Sequence, residues 1–254
     1  MIASLRLALS LFTVAPIRRQ YPDPAARAGA ALLWLPVLGG LLGALAALPL
    51  AAVRQWASHA EFLAAIGAIT LLALGTRGLH LDGLADTADG LGSRASTDRA
   101  LTIMRQSDIG PFGVITIVLV VLAEAAAVSE LRGDSWTPVL GLGLAAATGR
   151  VAAVQAAVRG VPSARPEGFG ALVAGRVAPI VALAYAAGVL ALGLLISLAR
   201  GWAPWWCLAQ ALGLAVAFAL RVHTTRRFGG VSGDVFGAVI EVGTVITLAG
   251  MCLR

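Results

Sequence analysis

Three aspartates, Asp82, Asp86 and Asp89, stand four and three residues apart in the segment Gly78-Leu-His-Leu-Asp-Gly-Leu-Ala-Asp-Thr-Ala-Asp-Gly90. On a helix they fall within an arc of roughly 60°, spread along about 10 Å of axis. Nothing basic lies between them. Three like charges on one stripe repel, so the arrangement costs stability unless a cation sits against it. Hard oxygen donors in this number suit Mg²⁺, Mn²⁺ or Ca²⁺ rather than zinc. The structural alternative is a solvated acidic helix end paired to Arg77 or Arg94. Gly78, Gly83, Gly90 and Gly92 would let a ligand or another helix approach closely. His80 lies on nearly the opposite side of a continued helix from Asp82. It reads equally as a supporting or interfacial polar residue and as a catalyst.

Three further segments carry polar chemistry. In the stretch 94–113, Ser96 stands where it would cap a short helix. Arg105 follows, suited to phosphate oxygens or to setting topology. Asp108 then opens the break Asp-Ile-Gly-Pro. The stretch Ala164-Arg-Pro-Glu-Gly-Phe-Gly170 offers Arg165 and Glu167, either paired together or available to a ligand. In Arg226-Arg-Phe-Gly-Gly-Val-Ser-Gly-Asp-Val-Phe-Gly-Ala-Val-Ile-Glu241, Asp234 and Glu241 share one helix face. Glu241 would sit two turns inside an apolar stretch, as do Glu124 and Arg150 in theirs. Ionisable groups so placed are expensive and face a polar interior. A pairing of Glu124 with Arg150 is one solution.

The elements that must hold these groups are membrane helices. Of 254 residues, 59% are hydrophobic and only 13% charged, against about 25% charged in soluble domains. The expectation is an all-α, polytopic transmembrane bundle in a single domain over 1–254. Seven spans are predicted near 28–50, 61–80, 110–128, 137–158, 177–198, 203–220 and 235–253. Residues 2–15 are too short to span and read as an interfacial or re-entrant helix. Arg6 interrupts them and no clean cleavage site follows, so no cleavable signal peptide is expected. Pro16, Pro22 and Pro24 break the chain before the first span.

The net charge is +6, and the chain has arginine but no lysine. That excludes a lysine Schiff base and a lysine-bearing phosphate loop. The arginines flank apolar spans, so they read as topology signals rather than as a nucleic-acid surface. One set of loops carries Arg6, Arg18, Arg19, Arg27, Arg77, Arg94, Arg99, Arg105, Arg159, Arg165, Arg176, Arg221, Arg226 and Arg227. The other set carries Arg54, Arg132, Arg200 and Arg254. Seven spans put the two sets on opposite sides, and the rich side is expected to be cytoplasmic. The aspartate cluster, Glu167 and Asp234 fall on that side. Cys207 and Cys252 read as packed thiols. Lipid is an expected partner, and stripes of Gly and Ala would allow a homo-oligomer.

Taken together, these motifs resemble the cobalamin synthase family, also called adenosylcobinamide-GDP ribazoletransferase. The resemblance rests on His-Leu-Asp-Gly-Leu-Ala-Asp-Thr-Ala-Asp-Gly at 80–90. Ile-Met-Arg-Gln-Ser-Asp-Ile-Gly-Pro-Phe-Gly-Val at 103–114, Ala-Arg-Pro-Glu-Gly-Phe-Gly at 164–170 and Gly-Gly-Val-Ser-Gly-Asp-Val-Phe-Gly-Ala at 229–238 support it. The opening Leu-Phe-Thr-Val-Ala-Pro-Ile at 11–17 is similar as well. One departure stands out: where many members carry a carboxylate three residues after the one matching Glu241, this chain has Thr244. The resemblance implies the last assembly step of the corrinoid coenzyme in a bacterial inner membrane, with a Mg²⁺ requirement. Adenosylcobinamide-GDP would accept α-ribazole or its 5′-phosphate, and GMP would leave.

Attack of a ribose hydroxyl on a pyrophosphate needs negative charge neutralised on bridging and leaving oxygens, which carboxylate-held divalent ions supply. Asp82, Asp86 and Asp89 are therefore expected to bind one or two Mg²⁺, with Asp234 completing the site. Arg105 and Arg165 are the expected phosphate clamps, and Asp108 or a carboxylate of the cluster the general base. His80 and Glu241 would support them. Two other readings stay open. A CDP-alcohol transferase uses similar chemistry, but its Asp-Gly-x-x-Ala-Arg pattern fails here because Asp86 stands early. A cation-coupled transporter would place its carboxylates nearer the midplane.

Overall fold

The computed structural model describes residues 2–17 and 24–253. In chain order the helices are α1 (Ile2–Phe12), α2 (Pro24–Leu32), α3 (Leu35–Ala46), α4 (Leu48–Trp56), α5 (Glu61–Gly75), α6 (Leu79–Gly92) and α7 (Thr97–Ile103). They continue with α8 (Pro111–Glu130), α9 (Thr137–Ala156), α10 (Phe169–Val173), α11 (Pro179–Ala199), α12 (Trp205–Phe228) and α13 (Gly233–Met251). Proline marks many of the starts. Pro36, Pro49, Pro111, Pro138 and Pro179 occupy first turns, where a missing N–H costs nothing. There is no strand among the described residues, only two isolated bridges.

The chain is an integral membrane protein. Six stretches are long and apolar enough to cross a bilayer: α3 with α4, then α8, α9, α11, α12 and α13. The predicted second span behaves differently. α5 stops at Gly75, and Arg77 (φ 57°) and Gly78 (φ 67°) turn the chain so that α6 leaves at 90°. Counted with this broken pair, the spans number seven. α5 alone is about 22 Å long, short of a 30 Å hydrocarbon core. The aspartate-bearing α6 turns away from α5 and packs on α13 and α8. The first predicted span is also displaced: residues 28–32 belong to α2, and the crossing stretch runs Leu35–Trp56.

Two helices form the interior. α9 is 83% buried and α13 78% buried, whereas α8 and α11 are 28% buried and face outward. α13 packs on α12, α9 and α6, and α3 runs along α9. Small residues make this possible. A Cβ on Gly43 would lie 2.7 Å from the Leu142 carbonyl oxygen. Such glycines, which could have served contacts between copies, are used here within the chain.

The two ends differ. At one, Arg54 pairs with Glu61 at 2.8 Å and donates to the carbonyls of Leu131 (2.7 Å) and Ser129 (2.8 Å). It thereby ties the ends of α4 and α8 to the start of α5. Arg200 pairs with Asp134 at 2.7 Å on the same end. This is the arginine-poor side of the predicted topology; Arg254, like Arg18, Arg19 and Pro22 elsewhere, lies outside the described residues. At the other end α1, too short to cross, is held beside α5. The Val14 amide donates to the Gly75 carbonyl (3.0 Å), and Arg77 donates to that of Leu11 (3.1 Å). Cys207 and Cys252 form no disulfide.

Candidate active site

α6 begins at Gly78, whose left-handed backbone ends the previous helix, and its first bond runs from the Asp82 amide to the Gly78 carbonyl. Asp82 thus stands in the first turn, where the positive helix end favours a carboxylate. Gly83 and Gly237 then bring α6 against α13. A Cβ on Gly83 would meet the Asp234 carbonyl oxygen at 2.7 Å, and one on Gly237 the His80 carbonyl oxygen at 2.8 Å. This backbone contact carries Asp82 and Asp86 to Asp234, from a segment 148 residues further on.

The loop before α10 supplies the cation. Its residues 162–164 are sewn to the start of α13: the Ala164 amide donates to the Val231 carbonyl (3.0 Å), and the Val231 amide to that of Pro162 (2.9 Å). Gly230 fits only without a side chain, since a Cβ would lie 2.4 Å from the Ala164 nitrogen. Arg165 Nη1 then sits 3.4 Å from Asp234 Oδ2, and its Nη2 donates to the Leu101 carbonyl at 2.9 Å. Ser232 Oγ donates to the same Asp234 oxygen at 3.1 Å. Arg165 Nε is buried without a hydrogen-bond partner.

These groups surround a cavity of about 430 Å³ lined by Asp82, Asp86, Arg105, Arg165 and Asp234, with Gln106 and Ser107 in its wall. A second cavity, of about 390 Å³, shares Asp82, Arg165 and Asp234 with the first. The carboxylates crowd one another. Burial, followed by the charges of Asp234, Asp82 and Asp89, pushes Asp86 up to about 7, and Arg165 offsets this only in part.

The remaining predicted residues have other surroundings. Asp89 is buried, and its Oδ2 and Oδ1 accept from the amides of Gly110 (2.8 Å) and Gly113 (2.9 Å). It caps the first turn of α8 and lines neither cavity. Asp108 is exposed, takes a hydrogen bond from Ser107 Oγ (3.1 Å), and also lines neither. Glu167 does not pair with Arg165, which pairs with Asp234 instead. Ser96 occupies the N-cap of α7, though its side chain makes no capping bond.

His80 and Glu241 belong to a deeper polar group. His80 Nδ1 lies 3.1 Å from Arg150 Nη2 and 3.6 Å from Glu241 Oε1. Arg150 also donates to the Ala146 carbonyl (3.2 Å) and makes no ion pair with Glu124. Glu124, Arg150 and Glu241 border a void of about 10 Å³, room for about one water. Asp234 and Glu241 do share a face of α13, as their spacing requires, but serve different neighbourhoods.

Several lining residues escaped the sequence reading. Gln106 and Ser107 border the first cavity, and Phe12, Phe169 and Phe236 the second. Each lies inside a segment already noted for its charged residues or its family likeness. Pattern reading weights charge, and an apolar ring in an apolar chain carries little signal.

Among the described residues, no three His, Cys, Asp or Glu side chains converge closely enough to enclose a metal ion by themselves. That suits Mg²⁺, which is usually held by one or two carboxylates together with substrate phosphates and water. Oxygen-only donors beside two arginines fit that pattern.

A membrane-helix bundle that gathers carboxylates and arginines around a cavity at one end is the framework of an integral-membrane transferase acting on phosphate groups. The chain belongs to the family described as Cobalamin-5-phosphate synthase, which it matches over residues 4–252. Similar proteins named adenosylcobinamide-GDP ribazoletransferase come from Frankia casuarinae, Bradyrhizobium diazoefficiens and Escherichia coli. The first is 40% identical over all of this chain and 95% of its own length. The second is 36% identical over 97% and 92%, respectively. The third is 36% identical over 87% of this chain and 86% of its own. No solved structure matches the chain.

Proposed function

We propose that this chain joins adenosylcobinamide-GDP to α-ribazole or its 5′-phosphate, releasing GMP, at the cytoplasmic face of a bacterial inner membrane. The observation that carries this reading is the meeting of Asp82, Asp86 and Asp234 with Arg105 and Arg165 around one cavity. The arginine-rich loops on that side support the orientation. The chain's membership in the family supports the substrates.

Asp82 and Asp234 would hold Mg²⁺ together with oxygens of the diphosphate itself, and the ion when bound neutralises the diphosphate and its leaving oxygen. Asp89 is not assigned to that set, because both its oxygens hold backbone amides. Arg165 and Arg105, which line the same cavity, hold the phosphate oxygens of the diphosphate. The ribose hydroxyl oxygen forms a bond to the phosphorus that stays with the corrinoid. The bond from that phosphorus to the GMP oxygen breaks. The hydroxyl proton passes to a cavity carboxylate, for which Asp86 is best placed, and GMP leaves with the electron pair. Asp108 is not used, since it lines neither cavity.

The test is turnover by purified protein in detergent with GDP-cobinamide and α-ribazole 5′-phosphate. Mg²⁺-dependent release of GMP with formation of the joined product is expected. Full turnover under strong chelation would end the metal reading. Product from CDP-alcohol precursors instead would assign the alternative lipid chemistry.

A further inference from the structure

Asp82, Arg165 and Asp234 form a partition, because they line both cavities. The two chambers that meet at this partition differ in chemistry. The first presents Arg105, Gln106 and Ser107. The second is walled by three phenylalanines packed edge to face. Phe12 and Phe169 have ring centroids 5.4 Å apart, and Phe169 and Phe236 5.5 Å apart. Phe12 and Phe236 are buried, while Phe169 stays partly open to the chamber. Leu11, Leu32 and Leu35 complete the apolar side.

Size and polarity sort the substrates of the proposed reaction. Cavities of about 300–1,000 Å³ hold small ligands, so a 390 Å³ chamber admits a nucleoside. A corrin ring with its side chains is several times larger and must stay outside both chambers. Two flat bases then compete for the aromatic chamber. The second chamber also carries Ser163 and Ser232, whose hydroxyls donate to the Arg165 carbonyl and to Asp234, and the exposed Glu167; on its phenylalanine side guanine's exocyclic donors and acceptors would stay unpaired, at a cost. The base of ribazole is a benzimidazole bearing two methyl groups, with no exocyclic hydrogen-bonding group.

We infer that the second chamber is the acceptor-nucleoside site: the methylated base lies against Phe169, and the ribose reaches the partition at Asp82 and Asp234. The guanosine diphosphate end of the corrinoid enters the first chamber, against Arg105, Gln106 and Ser107. The two reactants approach the partition from opposite sides, so the attacking hydroxyl and the leaving GMP lie on opposite faces of the phosphorus, as in-line displacement needs. This assignment rests on the proposed function and names which substrate each chamber takes.

The test measures KM for each substrate separately, and binds α-ribazole alone to the detergent-purified full chain by equilibrium dialysis. Stacking on an aromatic ring contributes enough that Phe169→Ala should weaken α-ribazole binding and raise its KM roughly tenfold. The KM for GDP-cobinamide should move less than about threefold. Phe169→Tyr should restore most of the loss, and Phe169→Leu only part of it. An increase confined to the corrinoid KM, or no change in either, overturns the assignment; so does displacement of α-ribazole by guanosine as readily as by 5,6-dimethylbenzimidazole. If the wild-type chain makes no product, the functional reading fails. The dialysis arm still decides the chamber, because Phe169→Ala either weakens α-ribazole binding or does not. Gel filtration identifies a misfolded alanine variant, and the Tyr and Leu pair then carries the comparison.

Discussion

Asp134 and Asp86 sit at opposite ends of the same bundle and are treated in opposite ways. Asp134 accepts a hydrogen bond from Arg200 at 2.7 Å, and that bond holds its carboxyl below the usual range. Asp86 faces a cavity with Asp82 and Asp234, and burial and their charges push it up to about 7. At one end Asp134 and Glu61 each have an arginine partner; at the other, three carboxylates share a cavity with two arginines, and of the three only Asp234 has an ion-pair partner among the described residues. Perturbed carboxylates gathered in a cleft mark a candidate functional site. The pairing at the first end is ordinary stapling of helix ends.

Substitutions should separate the two ends. The largest effect is expected for Asp82→Asn and Asp234→Asn. Each should lower kcat on the order of 10³-fold, with little change in thermal midpoint in detergent; a normal rate in either removes that residue from the site. Arg165→Lys should come next. Loss of the planar fork should lower kcat/KM about 10²-fold, seen mainly with the diphosphate substrate. Asp89→Asn should behave differently from its neighbours on α6. It replaces an oxygen that caps α8 and should cost about 2 kcal/mol of stability, read as a lower melting point, while the folded fraction keeps near-normal turnover. A catalytic loss comparable with that of Asp82→Asn would return Asp89 to the site.

The smallest effect belongs to the other end. Arg200→Ala should change stability by less than about 1 kcal/mol, because its partner Asp134 is largely open to solvent, and should leave turnover intact. Its contribution has a definite sign with pH. Asp134 is depressed in the folded state, so the stabilisation is present at neutral pH and fades in acid as the carboxyl protonates. Melting curves of wild type and Arg200→Ala should therefore converge as the pH falls.

Much of this contrast was legible in the residues alone. Hydropathy located the crossing helices because each needs a long apolar run, and arginine placement ordered their ends. Asp82, Asp86, Asp234, Arg105 and Arg165 were all picked out by residue type, and the fold brings them together. Asp89 looked the same as Asp82 and Asp86 on a helical wheel. Only the tertiary approach of Gly110 and Gly113 distinguishes it, and no local pattern encodes that. The 90° break after Gly75 was hidden for a related reason. It depends on two consecutive left-handed residues, and Arg77 carries no compositional sign of adopting that conformation. Arg150 was noted as intramembrane, but its hydrogen bond to His80 joins residues 70 positions apart.

The central claim is that Asp82 and Asp234 hold a divalent ion against a diphosphate. Mn²⁺ titration of the purified chain in the presence of GDP, followed by electron paramagnetic resonance, tests it most directly. Wild type and Asp89→Asn should bind the ion, and Asp82→Asn and Asp234→Asn should lose it. Equal binding by all four proteins, or none by the wild type, would contradict the account.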